Sequence, residues 1–364
     1  MKKDRPARNA WRRMKRNKGA VFGIAIISIS VFVAVFAYWF APDHSPFANR
    51  MIVEIGGQKP GFTKQFLKVP VSQNNIAVSI FGRLLTGLPD RYQFIPINSF
   101  EKKRDSFLVQ QYIDEETAVS ASYPLYKTTN STIIDSILLE TKTFYLGTDK
   151  YGRDILSRLL IGIRVSLGVG LITVLISLTI GVLLGAIAGY YRGRTDDIIT
   201  WFINVIWSIP TLLLVFAITL MLGKGFWQVF IAIGLTMWVN VARIVRGQIL
   251  SVRELEYVEA AKALGYSSMR ILFVHVLPNV MGPVLVVAAS NFASSIIIEA
   301  GLSFLGIGVQ PPQPSWGLMI KENFNFIITH NPMLALAPGF AIMLLVLAFN
   351  LLGNGLRDAL SVKA

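Results

Sequence analysis

Three histidines, His44, His275 and His330, are the side chains best suited to bind a metal or move a proton near neutral pH, and none stands at ligand spacing from another. Cysteine is absent, which excludes disulfides and thiolate metal sites. The sequence Gly223-Lys224-Gly225 hints at a phosphate loop but lacks the upstream glycine and the following Ser or Thr of a nucleotide cradle. No nucleophile stands beside a base in a persuasive context. The chain is not expected to be an enzyme or to hold a cofactor.

One polar stretch has a pattern suited to transmitting force. "RELEYVEAAKALGYSSMRILFVHVLPN", from Arg253 to Asn279, reads as helix, break, helix. Tyr257, Ala261 and Leu264 recur at i, i+4 and i+7, which predicts a shared face. Gly265 supplies a stop, because a residue without Cβ enters the left-handed conformation cheaply. Ser267 is placed to cap the next helix, which would run to Pro278. Ala260, Ala261 and Ala263 give the first helix a slim profile that could lie in a partner's groove and move as a rigid lever. The same alanines would also suit an ordinary surface helix.

The elements around this stretch are apolar. Hydrophobic residues make up 53% of the 364 positions and charged residues 15%, where soluble domains average about 25% charged. Val21–Phe40, Val165–Tyr191, Trp201–Leu222, Phe226–Ala242, Asn279–Ile298 and Leu334–Gly353 are uncharged and long enough for a hydrocarbon core of about 30 Å. Six transmembrane helices are therefore expected. Lys and Arg number 18 on the side of both termini and 6 near the spans on the other, so the positive-inside rule places the termini in the cytoplasm. The net charge of +14 thus records topology, not nucleic-acid binding. The first apolar run is too long for a signal-peptide core, and no small-x-small site follows it.

A polar, nearly neutral segment separates the first two spans on the outside, with 12 acids and 15 bases between Pro42 and Arg164. "FLKVPVS" and "RYQFIPIN" alternate as strands do, and "NNIAVSIFGRLL" suits a helix, so a small α/β lobe is expected. Asn130-Ser131-Thr132 matches a glycosylation acceptor, a three-residue pattern that also arises by chance. Residues 153–164 predict a short interfacial amphipathic helix, with Asp154 and Arg158 paired. Gly181, Gly185 and Gly189 make a small-residue stripe for close helix packing, static or sliding. Pro210, Pro283 and Pro338 are expected to kink their helices. Ser208, Asn240 and Asn291 would bond between helices or line a path.

The spans hold no ionisable residue; Glu299 stands only at the outer end of the fifth, placed to pair with Lys321 or reach water. A proton- or sodium-driven carrier would need such groups inside. The energy source is expected elsewhere.

"EAAKALG" followed by "HVLP" resembles the EAA loop of ABC importer permeases, the coupling helix that docks on an ATPase. "LGTDKYGRDILSRLLIGIRVSL" (146–167), "VARIVRGQIL" (241–250), "EAGLSFLGIGVQPPQPSWG" (299–317) and "NLLGNGLRDAL" (350–360) join it. Together they are similar to the C-type permease subunit of dipeptide and oligopeptide transporters, from about residue 143 to 360. The resemblance implies an all-α polytopic chain with the type I ABC importer permease fold and a long extracytoplasmic segment after its first helix. Its divisions would be a basic tail and first helix at 1–41, the outer segment at 42–162, a five-helix transmembrane domain at 163–354 with the EAA loop at 243–278, and a tail at 355–364. Coupling would run through the 254–265 helix, with Tyr257, Glu259, Ala260, Ala261, Leu264 and Gly265. Other motif residues are Gly147, Asp149, Gly152, Arg153, Asp154, Pro278, Glu299, Gly301, Pro311 and Trp316.

Implied partners are a second homologous permease, one or two cytoplasmic ABC ATPase subunits that bind ATP and Mg, an extracytoplasmic peptide-binding protein, and the lipid of the bacterial inner membrane. Trp201 and Asn204 stand where such subunits often carry Arg and Asp ahead of the proline, Asn354 replaces an Asp, and residues from about 50 to 140 exceed the usual length. Nickel, an antimicrobial peptide or a sugar-peptide as cargo, or a non-transporting membrane sensor, are the competing readings.

Overall fold

In lipid a backbone must satisfy its own N–H and C=O groups, so the uncharged runs become helices. The computed structural model describes residues 6–70, 79–102, 106–124, 139–223, 225–329 and 331–360. The helices are α1 (Pro6–Arg16), α2 (Lys18–Val35), α3 (Ala37–Phe40), α4 (Ile80–Thr86), α5 (Ile155–Tyr191), α6 (Gly193–Trp207), α7 (Thr211–Leu222), α8 (Phe226–Val252), α9 (Glu256–Ala263), α10 (Ser268–Phe304), α11 (Trp316–Asn323), α12 (Phe326–Thr329) and α13 (Met333–Leu360). Among the described residues, α2, α5, α8, α10 and α13 are each long and apolar enough to cross a membrane.

The expected third span is not one rod. α6 and α7 meet at 91° across Ser208-Ile209-Pro210, so the candidate spans among the described residues number five, or six if the bent pair counts as one. Pro210 lacks the N–H that would continue the ladder, and its ring displaces the preceding turn. Pro283 and Pro338 lie inside the helices α10 and α13 and do not end them. The separate amphipathic helix at 153–164 is also absent: α5 runs unbroken from Ile155, with Ile155, Ile161 and Ile163 buried. Nor does a helix stop at Pro278; α10 passes through it after a π-turn over Ile271–Val276, whose wider register relieves the clash a proline makes one turn back.

The chain divides into two compact units. One comprises Met1–Val31, Ser166–Gln310 and Ala341–Ala364. Here glycines set the distances between helices. A Cβ on Gly181 would lie 2.7 Å from Trp238 O, one on Gly185 2.5 Å from Ala242 O, and one on Gly189 2.8 Å from Arg246 O. The whole stripe therefore faces α8. Gly23 of α2 approaches Ala348 O of α13 just as closely, and Phe292 stacks on Phe349 with centroids 3.8 Å apart.

The other unit comprises Phe32–Val165 and Pro311–Phe340. Residues 311–340 thus pack with the polar segment, a grouping different from the expected 42–162 and 163–354. The chain is not all-α: β1 (Phe62–Pro70), β2 (Tyr92–Lys102), β3 (Ser106–Tyr112), β4 (Ala118–Pro124) and β5 (Leu139–Phe144) form one antiparallel sheet in the order β4-β3-β2-β1-β5. Alternation along β1 sends Leu67 to a cluster with Ile95, Ile97 and Val109, and Phe66 to one with Ile52, Ile55, Tyr112 and Phe144. The expected strands are present as β1 and β2, and α4 covers the latter part of the expected helix. Asn130-Ser131-Thr132 and the start of "NNIAVSIFGRLL" lie outside the described residues.

Candidate functional site

The stub between α8 and α10 is built as a wedge. α9 has eight residues, too few to persist alone, so its stability must come from packing. Val258 and Ala261 supply it, at 0% and 4% exposure, in a cluster with Tyr190, Ile249, Ile271 and Leu272. The expected shared face is therefore split. Ala261 points into the bundle, while Tyr257 and Leu264 stand 41% and 73% exposed, with Glu259, Ala260 and Ala263 also outside. Leu255 and Met269, absent from the motif, add to this outer surface.

Gly265 ends α9 at φ +77°. Its N–H bonds Lys262 O at 2.9 Å and that of Tyr266 bonds Ala261 O at 3.2 Å, the paired closure of a Schellman motif. Ser267 opens α10 by its backbone carbonyl, which accepts from Ile271 N at 3.0 Å; its side chain makes no cap bond. The stub is tied back to the bundle at three points. Asn279 donates to Tyr257 OH at 3.0 Å, Arg253 donates to Tyr190 O, and Arg192 bonds Glu254, holding that carboxyl below its ordinary range. Arg246 Nη2 pairs with Asp196 Oδ2 at 2.6 Å, a contact between α8 and α6 with no signal in the motif. Arg243 stacks on Trp207 at 3.6 Å and reaches Asn204 at 3.4 Å.

A cavity of about 200 Å³ lies beside the bend between α6 and α7, lined by Trp207, Thr211, Thr236, Asn240, Asn291 and Ser294 among others. Its polar lining is uncharged. Asn291 also bonds Ser177 at 3.4 Å, and Ser208 is turned to Val205 O at 2.7 Å. Glu299 does not reach water as one expectation had it: it is buried at 1% exposure and accepts from Ser303 Oγ at 2.6 Å. Ser303 Oγ in turn accepts from Val309 N at 3.0 Å, so Glu299 organises the turn after α10. A Cβ on Gly301 would come only within 4.0 Å of Leu212, and Pro278 and Pro311 are exposed.

The remaining motif residues build a second, wholly buried arrangement. Gly147 and Gly152 have φ of +79° and +73°, and a Cβ on them would lie 2.2 Å from Gln58 O and 1.7 Å from Ile52 O. Asp149 Oδ1 accepts from Tyr151 N and Arg153 N, and its Oδ2 from Arg153 Nε at 2.6 Å. Arg158 lies 4.0 Å from Asp149 and 3.5 Å from Glu322, not paired with Asp154 as expected. Asp154 instead caps α5 by accepting from Ser157 N at 2.9 Å, and burial pushes its carboxyl up. Trp316 Nε1 donates to Leu159 O at 3.0 Å, and Gly162 makes room for its ring. Sequence reasoning missed Glu322, which no local pattern marks.

A family described as binding-protein-dependent transport system inner membrane component matches residues 181–363. One described as the N-terminal TM domain of oligopeptide transport permease C matches residues 5–52. The glutathione transport system permease protein GsiD of Pectobacterium atrosepticum is 43% identical over 60% of this chain and 72% of its own length. The oligopeptide transport system permease protein OppC of Bacillus subtilis is 40% identical over 65% and 77%. The dipeptide transport system permease protein DppC of Alkalihalophilus pseudofirmus is 43% identical over 60% and 72%.

Proposed function

This chain belongs to the family of binding-protein-dependent transport system inner membrane components, and from that premise we propose that it forms half of the pathway of an ATP-driven importer of di- and oligopeptides. The cargo class is supported by relatives named for glutathione, dipeptides and oligopeptides. A second, related permease would supply the other half. One or two ATPase subunits would seat on the side of the termini, in the cytoplasm, and a peptide-binding protein would deliver cargo on the side of the sheet lobe.

The observation that carries this reading is α9: anchored inward by Val258 and Ala261 and bare outward along Leu255, Glu259, Ala260 and Leu264. Force on the outer face would pass through Val258 into Ile271, Leu272 and Val276 at the foot of α10, moving helices rather than bending side chains. The uncharged cavity lined by Asn240, Asn291 and Ser294 suits a path that meets peptide amides without selecting a side-chain charge.

Photo-cross-linkers at Leu264 and Met269 test the reading. Capture of an ATP-hydrolysing subunit at both, with ATPase activity stimulated by peptide-loaded binding protein, is the expected result. Capture of no such subunit at either position refutes it.

A further inference from the structure

α4 lies in the segment between β1 and β2, outside the residues that either family matches. It leaves Ile80, Phe81 and Leu85 at 76%, 77% and 66% exposure. At 100° per residue these three fall within an arc of about 140°, so they make one apolar face. A water-facing helix of a lobe has no use for such a face.

Its level in the molecule is set by Arg164. The guanidinium donates to Ala34 O at 2.6 Å and Val35 O at 2.9 Å, the last carbonyls of the spanning helix α2. It also donates to Leu84 O at 2.6 Å and Leu85 O at 3.1 Å, carbonyls in the last turn of α4. One planar group thus fixes the end of α4 beside the end of a membrane span. The chain on either side is locked too: Leu88 N donates to His44 O at 2.8 Å, and a Cβ on Gly87 would lie 2.6 Å from that carbonyl. At the same level Trp39 and Phe40 are each 51% exposed, and Arg83 lies over the Trp39 ring at 5.7 Å. Aromatic rings and arginines at the end of a span are the residues of the lipid–water boundary.

We propose that α4 is an interfacial anchor, with Ile80, Phe81 and Leu85 entering the lipid at the headgroup–acyl boundary on the lobe's side of the membrane. An amphipathic helix so placed lies in the plane of the interface with its apolar face about 5–10 Å deep. The anchor would hold the root of the sheet lobe against the bilayer while the spans move. It requires only that α2 cross the membrane, and is independent of cargo and of the ATPase.

The cysteine-free sequence makes the test direct. F81C and L85C, each at an exposed side chain, are labelled with an environment-sensitive fluorophore in the assembled transporter in vesicles of phosphatidylcholine brominated along its acyl chains. F32C on α2 serves as the lipid standard and S122C on β4 as the water standard. Quenching by bromolipid at Phe81 and Leu85 to at least about half that at Phe32, with shielding from aqueous iodide, is expected. Iodide quenching equal to that at Ser122 would overturn the proposal by showing the face in water. Quenching by neither agent would overturn it by showing a protein partner over the face.

Discussion

Arg153 Nη2 lies 2.6 Å from Glu322 Oε2, joining residues 169 apart in sequence. Both belong to a buried set in which Asp149 and Arg158 complete the charges. Two guanidinium groups out of water are tolerable only because two carboxylates sit among them. Removing one partner leaves the full desolvation cost of the others.

Glu322→Ala is therefore expected to destabilise the protein by about 3–5 kcal/mol, read as a lower thermal midpoint of the purified transporter. The double variant Arg153→Met/Glu322→Met should lose less than the two single losses added together. An unchanged midpoint in Glu322→Ala would show that the pair does not hold α11 to the Gly147–Asp154 loop.

The glycine stripe of α5 carries its own control. A methyl group on Gly185 would meet Ala242 O at 2.5 Å, whereas one on Gly168 of the same helix would have nothing within 4 Å. Gly185→Ala should cost about 1–3 kcal/mol by overpacking, and Gly168→Ala should be neutral or mildly stabilising. Equal effects at the two positions would mean that α5 and α8 do not pack as described.

At Gly265 strain and clash separate cleanly, because nothing within 4 Å would meet a Cβ while φ is +77°. Gly265→Val should disturb the stub more than Gly265→Asn, since asparagine tolerates the left-handed region and a β-branched residue does not. With α9 as the coupling helix, Gly265→Val and Glu259→Ala should retain insertion but lose the link between ATP hydrolysis and peptide uptake in proteoliposomes. Coupled transport at the native ratio in both variants would count against that role.

Acid should loosen the sheet edge at β5. Burial works against the ionised Glu140, but the Lys68 bond and the nearby Lys142, Lys68 and Arg50 charges overcome it and hold the carboxyl below its ordinary value. A depressed carboxylate contributes stability that is present above its unfolded pKa and lost as pH falls through the folded one. Glu140 is partly exposed, so the effect should stay within about 1 kcal/mol. Hydrogen exchange along Leu139–Phe144, corrected for intrinsic rate, should rise towards acid in the native chain and much less in Glu140→Gln.

Much of this protein is legible in one dimension. An uncharged run either matches the hydrocarbon thickness or does not, and in lipid its backbone has no option but the helix, so five spans and the region of the broken one follow from run length alone. Alternation likewise marked β1 and β2, and Gly265 marked the end of α9, because each depends on neighbours a few positions away. Other decisions required residues distant in sequence to meet. Ala261 turned inward since Ile271 and Leu272 lie beneath it; a helical period defines faces but cannot say which one is covered. Asp154 took Ser157 in place of Arg158, and Arg158 went to Asp149 and Glu322, because burial rewards the set of contacts that leaves the least charge uncompensated. The level of α4 was settled in the same way, by one arginine on α5 that found four carbonyls from two segments far apart in sequence.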